Sequence, residues 1–184
     1  MKSRSFSARI LFTLAFIFIL SHSALSQKRR LINYTEISAL IHGSTSLTDN
    51  SKLNGFRTRT GVSKLLDDHI GVGFALGTDN YRKTNGSNYN TLPITLNASY
   101  YVNPDLNGLK LDAYGGYAVK LFNNLSKGMT AGAGLSYSFS VNGGLNLGIQ
   151  TGYNYQKIDY PAGFVLDNSF DISSIRLGLG ITFK

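Results

Sequence analysis

The chain has 184 residues and a formal net charge of +8, with 20 glycines, 11 tyrosines, 11 phenylalanines, three prolines and no cysteine. The absence of cysteine excludes disulfides, thiolate metal sites and a lipid anchor through a thioether. Glycines and aromatic residues spread together along the chain indicate a folded β-structure, because a disordered glycine-rich segment would lack the aromatics.

The first 26 residues have the features of a cleavable secretory signal peptide. Three cations precede an apolar run, 10–20, which is too short to cross a bilayer as a helix. The small residues that follow end in Ala24-Leu25-Ser26, an A-x-A-like cleavage site. Cleavage there leaves one domain, 27–184, and lowers the net charge to +5, because three basic residues and no acidic ones are removed. A mildly basic exported chain is expected to meet anionic lipid headgroups and no nucleic acid.

From residue 33 onward, apolar residues alternate with small or polar ones at period two, and no ten-residue stretch has the apolar stripe of a helix. In one segment, for example, Leu92, Ile94 and Leu96 face one way while Thr95 and Asn97 face the other. The alternation predicts an all-β fold with eight strands. Their predicted ranges are 33–42, 56–66, 70–78, 91–102, 110–121, 129–141, 144–158 and 172–183.

The two faces of these strands predict where the sheet lies. An even number of antiparallel strands closes without a free edge, and strands of roughly 9 to 12 residues cross a bilayer when tilted. A soluble ligand-binding barrel of the lipocalin type is the less favoured alternative, because here the small and polar faces are expected to line the lumen. The remaining exterior is continuously apolar and would aggregate in water. The pattern therefore predicts an eight-stranded antiparallel up-and-down transmembrane β-barrel.

The predicted connections alternate in length. Three are long and polar: 43–55, 79–90 and 159–171. The others are shorter: 66–69, 103–109, 122–128 and 142–143. This alternation is typical of outer-membrane barrels, which have brief turns in the periplasm and larger loops outside the cell. The three long loops are therefore the expected contacts for any extracellular partner.

Aromatic side chains are predicted near both membrane borders, where an amphipathic ring is favoured among headgroups. An inner girdle, on the periplasmic side, is expected from Tyr100, Tyr137, Phe139 and Phe183. An outer girdle, on the loop side, is expected from Phe56, Tyr153 and Tyr155.

The signal peptide, the eight alternating strands and the closing segment Ile175-Arg176-Leu177-Gly178-Leu179-Gly180-Ile181-Thr182-Phe183 together resemble the small OmpA/OmpX-type outer-membrane barrels. The likeness covers the whole mature chain. It implies contact with outer-membrane lipid and lipopolysaccharide, and insertion by the barrel-assembly machinery. In that family the machinery reads an alternating last strand with a terminal aromatic residue, whereas here Lys184 follows Phe183. The resemblance implies no particular activity, because this architecture hosts adhesins, enzymes and structural proteins alike.

Six charged residues fall on predicted lumen faces, where each charge needs a partner or water. They are Glu36, Arg57, Arg59, Asp112, Lys120 and Arg176. An eight-stranded barrel is only wide enough for side chains to fill, so we expect these residues to plug the lumen. Glu36 and Arg59 are the best predicted pair, because the first hairpin brings their strands together. The alternative is a basic vestibule of Arg57, Lys120 and Arg176 at the outer mouth, which would hold an anion such as a lipopolysaccharide phosphate.

Only one histidine in the predicted mature chain has a serine close by. His42 and Ser44, at the top of the first strand, have the spacing found in some outer-membrane lipid deacylases, but no carboxylate is evidently placed to orient the imidazole. The glycines of 71–77 alternate within a strand, so they do not form a dinucleotide loop. We therefore expect no catalytic residue, metal or cofactor. The favoured function is a non-enzymatic barrel that serves surface interaction, adhesion or envelope integrity, and a deacylase-like enzyme is the alternative.

Overall fold

The computed structural model describes residues 31–45, 53–83, 88–122, 125–142, 144–159 and 169–183, without the side chains of 42–45, 83 and 142. The predicted signal peptide and its cleavage site lie outside these residues. No helix in the described part is long and apolar enough to span a bilayer.

The described residues form nine β-strands. They are β1 (Leu31–Thr45), β2 (Leu53–Leu65), β3 (Ile70–Lys83), β4 (Tyr89–Thr91), β5 (Pro93–Tyr101), β6 (Gly108–Ala118), β7 (Gly128–Asn142), β8 (Leu145–Asp159) and β9 (Ser169–Phe183). Both β4 and β5 pair with β3, so they are two parts of one barrel strand. The break between them lies at Leu92, next to Pro93, which has no N–H to donate to the ladder. The barrel therefore has eight strands around its circumference.

The sheet closes on itself. Its order is β2-β1-β9-β8-β7-β6-β5-β3-β4, and β2 also pairs with β3. All of the strand pairs are antiparallel, including β1 with β9, in which Asn33 lies opposite Phe183. Closure satisfies the backbone groups that an open edge would leave unpaired in hydrocarbon. The predicted fold class, an eight-stranded antiparallel barrel, is confirmed.

The outer wall is apolar. Leu96 is 73% exposed, Leu179 65% and Phe74 51%, and each points away from the lumen. Further exposed apolar residues surround the barrel: Ile37, Val72, Ile94, Leu111, Leu135, Ile149, Ile175 and Leu177. Such a continuous apolar surface is stable against lipid and aggregates in water. The apolar residues therefore face outward, as predicted for a membrane barrel, whereas a soluble ligand-binding barrel has them inside.

The strands run further toward the long connections than the alternation predicts. β1 continues to Thr45, β3 continues to Lys83 and β9 already begins at Ser169. Residues 79–83 belong to β3 and not to a loop, and the predicted loops 43–55, 79–90 and 159–171 are correspondingly shorter. The outward residues of the β3 and β9 extensions, Asn80, Arg82, Ser169 and Asp171, are not apolar, so the period-two hydrophobic pattern ends before the hydrogen-bonded ladder does. Residues 46–52, 84–87 and 160–168 of these predicted loops lie outside the described residues.

Two apolar clusters close the lumen at its ends. We call the end with the long connections the loop end, and the end with the short turns and with Leu31 and Phe183 the turn end. The loop-end cap consists of Leu40, Leu53, Tyr81, Ile158, Phe170 and Ile172, with Tyr89 packed against them. The turn-end cap consists of Ile32, Tyr101 and Leu106, with Leu65 packed against them. Polar and charged side chains fill the space between the caps.

Candidate functional site

The candidate site is the layer of charged side chains in the middle of the lumen. Register places Arg57 of β2 directly opposite Asp79 of β3. Arg57 Nε donates to Asp79 Oδ1 and Arg57 Nη2 donates to Asp79 Oδ2, both at 2.6 Å. The side chains are 1% and 0% exposed. A buried bidentate pair of this kind is strong and fixes its geometry.

Tyr114 of β6 extends this pair across the lumen. Arg57 Nη1 donates to its hydroxyl oxygen, and that hydroxyl in turn donates to Asn154 Oδ1 of β8 at 2.5 Å. Asn154 Nδ2 donates to the hydroxyl of Tyr81 at 2.8 Å, which returns the chain of hydrogen bonds to β3. Because β3 and β8 lie four strand positions apart around the eight-stranded barrel, this network connects opposite walls of the lumen.

A second group of charges surrounds Glu36 of β1. Arg59 Nε lies 3.2 Å from Glu36 Oε2, Arg176 Nη1 lies 3.9 Å from the same oxygen, and Lys110 Nζ lies 3.8 Å from Glu36 Oε1. Arg176 Nη2 also donates to Asp112 Oδ2 at 3.0 Å. Neither Glu36 Oε2 nor Arg59 Nε has an aligned hydrogen-bond partner among the described residues, so the Glu36–Arg59 contact is an ion pair without a hydrogen bond.

The ring of Tyr114 separates the guanidinium groups. The Cζ atoms of Arg59, Arg57 and Arg176 lie 4.5, 5.1 and 5.4 Å from its centroid. A ring face attracts cations, and here it offsets the repulsion among three like charges. The described buried residues of the layer comprise three guanidinium groups and three carboxylates, those of Glu36, Asp79 and Asp112. The buried layer is therefore neutral overall, with Lys110 at its partly exposed edge.

Glycines on the lumen faces leave room for these large side chains. A Cβ at Gly134 would lie 2.6 Å from Arg176 Nη2, and one at Gly132 would collide with the hydroxyl of Tyr114. Below the charge layer a cavity of about 20 Å³ remains, lined among others by Tyr34, Glu36 and Lys110. That volume holds about one water molecule. Among the described residues, the buried side chains of this layer therefore occupy the middle of the lumen.

Five of the six predicted lumen charges lie in this layer: Glu36, Arg57, Arg59, Asp112 and Arg176. Lys120 does not join them. It lies two residues beyond the end of β6 and is exposed, because strand alternation no longer applies there. The predicted basic vestibule is also wrong, since Arg57 and Arg176 are fully buried and each is paired with a carboxylate.

The prediction missed four members of the layer. The alternation predicts a loop at Asp79, although this residue shares the parity of Gly77 and Ala75 on the inner face of β3. Tyr114 and Asn154 lie on faces predicted to be inward but carry no charge, so the predicted set of charged lumen residues does not contain them. Lys110 shares the parity of Asp112 at the start of β6.

The predicted girdle residues lie toward the two ends of the wall. Tyr100, Tyr137 and Phe139 are exposed near the turn end, with Phe183 half-buried at the end of β9. Near the loop end, Phe56 and Tyr153 are exposed and Tyr155 is half-buried. The outer tyrosines are anchored: Tyr153 donates to Ser173 Oγ at 2.5 Å, and Tyr155 donates to Asp171 Oδ1 at 2.7 Å. Tyr117, which the prediction omitted, donates similarly to Asp159 Oδ2 at 3.2 Å.

His42 and Ser44 lie at the loop end of β1. The register against β9 shifts between them, so the strand has an irregularity at this point. Their side chains lie outside the described part of the chain, and the deacylase alternative stays a hypothesis. Among the described residues, no group of three or more histidine, aspartate or glutamate side chains could hold a metal ion.

No family model matches the chain, and no curated protein matches it. Several solved barrels do. Neisserial surface protein A matches with a TM-score of 0.49 and 18% identity, over 83% of this chain and 96% of that one. The outer membrane protein OprG from Pseudomonas aeruginosa matches with a TM-score of 0.43 and 14% identity, over 83% and 95%. A de novo designed transmembrane β-barrel matches with a TM-score of 0.44 and 18% identity, over 85% and 98%.

The location follows from this chain's own geometry. A closed antiparallel barrel with an apolar band on its outer wall, short turns at one end and long connections at the other is the architecture of outer-membrane proteins. The chain is accordingly an integral protein of the outer membrane.

Proposed function

We propose that this chain is a sealed, non-enzymatic barrel that supports the integrity of the outer membrane through its rigid wall. The observation that carries the proposal is the hydrogen-bonded chain from Asp79 through Arg57, Tyr114 and Asn154 to Tyr81, which joins opposite walls of the lumen. A side-chain network with this span holds the barrel in one shape, because its members have well-defined partners in a low-dielectric interior.

The order of the layers supports a closed interior. The loop-end cap, the charge layer and the turn-end cap follow one another along the barrel axis, so water and solutes meet side chains at each level. The turn-end cap is held by Leu106, whose carbonyl oxygen accepts hydrogen bonds from Asn146 Nδ2 at 2.9 Å and Ser138 Oγ at 3.0 Å. A barrel built in this way adds stiff, impermeable area to the membrane.

Two further parts of the proposal come from the sequence. The loop end faces outside the cell, in keeping with the long connections there. The barrel-assembly machinery inserts the chain through β9, whose alternating outer face ends in Phe183.

Two measurements test the proposal. Recordings of the purified chain in planar bilayers should show no large, stable conductance. Deletion of the gene should increase entry of a large antibiotic such as vancomycin into cells, and the wild-type chain should restore the barrier. A large stable conductance, or a deletion strain with unchanged permeability that instead loses binding to host surfaces, would contradict envelope support, and the second result would favour adhesion.

A further inference from the structure

We infer that the outer wall of β2, β3 and β4 at the loop end binds the phosphorylated sugar headgroup of an outer-leaflet glycolipid. We call this surface the Asn–Arg face. It consists of Asn54, Phe56, Asn80, Arg82, Asn88 and Asn90, which line an open groove of about 760 Å³ together with Gly55. The inference names a partner for the wall described above, and it rests on the proposed orientation of the loop end toward the outside of the cell.

Register orders the outward side chains of these strands by height. The row Thr60, Leu76 and Ile94 faces lipid, and the next row toward the loop end consists of Thr58, Thr78 and Leu92. Above them Phe56 lies opposite Asn80, and Asn80 lies opposite Asn90. The top row brings Asn54 opposite Arg82, with Asn88 immediately before β4.

Toward the loop end, the outward side chains thus change from apolar residues to threonines and then to carboxamides and a guanidinium. Hydrocarbon therefore ends near the threonine row, and the Asn–Arg face lies at the level of the lipid headgroups. A polar groove at that level, on the outer wall of the barrel, is presented sideways to neighbouring lipids.

The chemistry of the groove fits a sugar phosphate. An asparagine amide has two donors and an acceptor, which suits the hydroxyl and amide groups of an amino sugar, and Asn80, Asn88 and Asn90 present such groups to the groove. The guanidinium of Arg82 is exposed and offers a planar fork of donors for a phosphate. The ring of Phe56, 47% exposed at the lower edge of the groove, provides an apolar face for the sugar ring or the first methylenes of an acyl chain.

Charge on the wall favours an anionic ligand at this place. None of the described residues that line the groove is a carboxylate. Asp79 lies one residue from Asn80 but points into the lumen, where Arg57 neutralises it. The outward wall of β8 and β9 at the same end differs, because Asp159 and Asp171 lie there with tyrosine hydroxyls bonded to them.

Native mass spectrometry of the purified full-length barrel tests the inference, with bisphosphorylated lipid A as the probe and dephosphorylated lipid A as its comparison. The variants are Arg82→Ala, Arg82→Lys and Asn80→Ala/Asn90→Ala. Lys157→Ala is the matched control, because it removes one outward cation at the loop end of β8. Folding of each variant is checked by its electrophoretic mobility before and after heating.

We expect Arg82→Ala to weaken binding of bisphosphorylated lipid A about tenfold and to remove the preference over the dephosphorylated lipid, because a charge-assisted contact is lost. Arg82→Lys should restore part of that preference. The asparagine double variant should weaken binding of both lipids, and Lys157→Ala should change neither.

Three outcomes would overturn the inference. Equal losses in Arg82→Ala and Lys157→Ala would indicate attraction by overall charge alone. Unchanged lipid binding in both Asn–Arg face variants would place the lipid elsewhere. Displacement of the lipid by soluble glucosamine 6-phosphate at equal concentration would indicate a site for the free sugar phosphate. Failure here leaves the sealed lumen untouched, because Arg82 lies outside it, and bilayer recordings of the same variants separate the two proposals.

Discussion

The contribution of the Arg57–Asp79 pair to the stability of the barrel can be measured by substitution. We expect Asp79→Leu to lower the free energy of unfolding by about 3–5 kcal/mol, because it leaves a buried guanidinium without its carboxylate. Two of the three hydrogen bonds that Arg57 donates end on Asp79, and neither side chain has access to water that could replace them. Arg57→Met should cost a similar amount, since it isolates the carboxylate and also removes the contact with Tyr114.

The double variant distinguishes a coupled pair from two independent losses. Replacing a whole buried ion pair by apolar side chains of similar volume is often neutral or stabilising. We therefore expect Arg57→Met/Asp79→Leu to be no less stable than either single variant, which corresponds to a coupling energy of at least about 3 kcal/mol.

Urea unfolding of the barrel refolded in lipid vesicles provides the assay. The chain has no tryptophan, so unfolding is followed by far-ultraviolet circular dichroism and by electrophoretic mobility. Lys157 and Asp171, which lie opposite each other on the outward wall of β8 and β9, give a matched control. The same double-mutant cycle there should yield a coupling of at most about 1 kcal/mol, as is usual for ion pairs on an outer surface. Single losses below about 1 kcal/mol at Arg57 and Asp79, or strictly additive ones, would refute the argument.

Three other variants probe the remaining layers in the same assay or in assembly. Glu36→Gln should lower the free energy of unfolding by about 3 kcal/mol, because three cations lose their shared carboxylate. Lys120→Ala is the control and should change it by less than about 0.5 kcal/mol. An equally small change in Glu36→Gln would show that Glu36 does not hold the charge layer together. Leu106→Gly should lower the free energy of unfolding by about 1 kcal/mol, because the loss of a buried side chain outweighs the relief of a left-handed φ of 59°. A gain in stability would show that the backbone strain is the larger of the two effects. Phe183→Ala should slow assembly by the purified barrel-assembly machinery in proteoliposomes more than Phe139→Ala does, and equal rates would remove the proposed recognition of β9.

The fold could be predicted because hydrocarbon constrains every second residue of a spanning strand. Leu96 and Phe74 must face lipid, and their neighbours must be small or polar enough to fit a narrow lumen. That constraint fixes both the strand positions and the facing without any knowledge of which residues touch. It ends at the headgroups, where Asn80 and Arg82 continue β3 with polar side chains on the outer face.

The errors in the predicted site have the same origin. The apolar alternation predicts a loop at Asp79 because the outer face of β3 is no longer apolar there, although the hydrogen-bonded register continues to Lys83. Lys120 shows the opposite error: the alternation predicts a lumen position for it, but the ladder of β6 already ends at Ala118. Pairings across the lumen, such as Arg176 with Asp112, join strands that are three positions apart around the barrel, and no local sequence pattern specifies them.

The composition of the lumen face nevertheless contains a signal for the plug. A glycine on one wall is useful to a narrow barrel when a large side chain from another wall fills its space, as Arg176 does against Gly134 and Tyr114 does against Gly132. A face rich in glycine therefore indicates large partners on other strands and does not indicate an open pore. Tyr114 lies between Asp112 and Gly116 on the inward face of β6, and its ring contacts three arginines from other strands, so it lies at the centre of this packing.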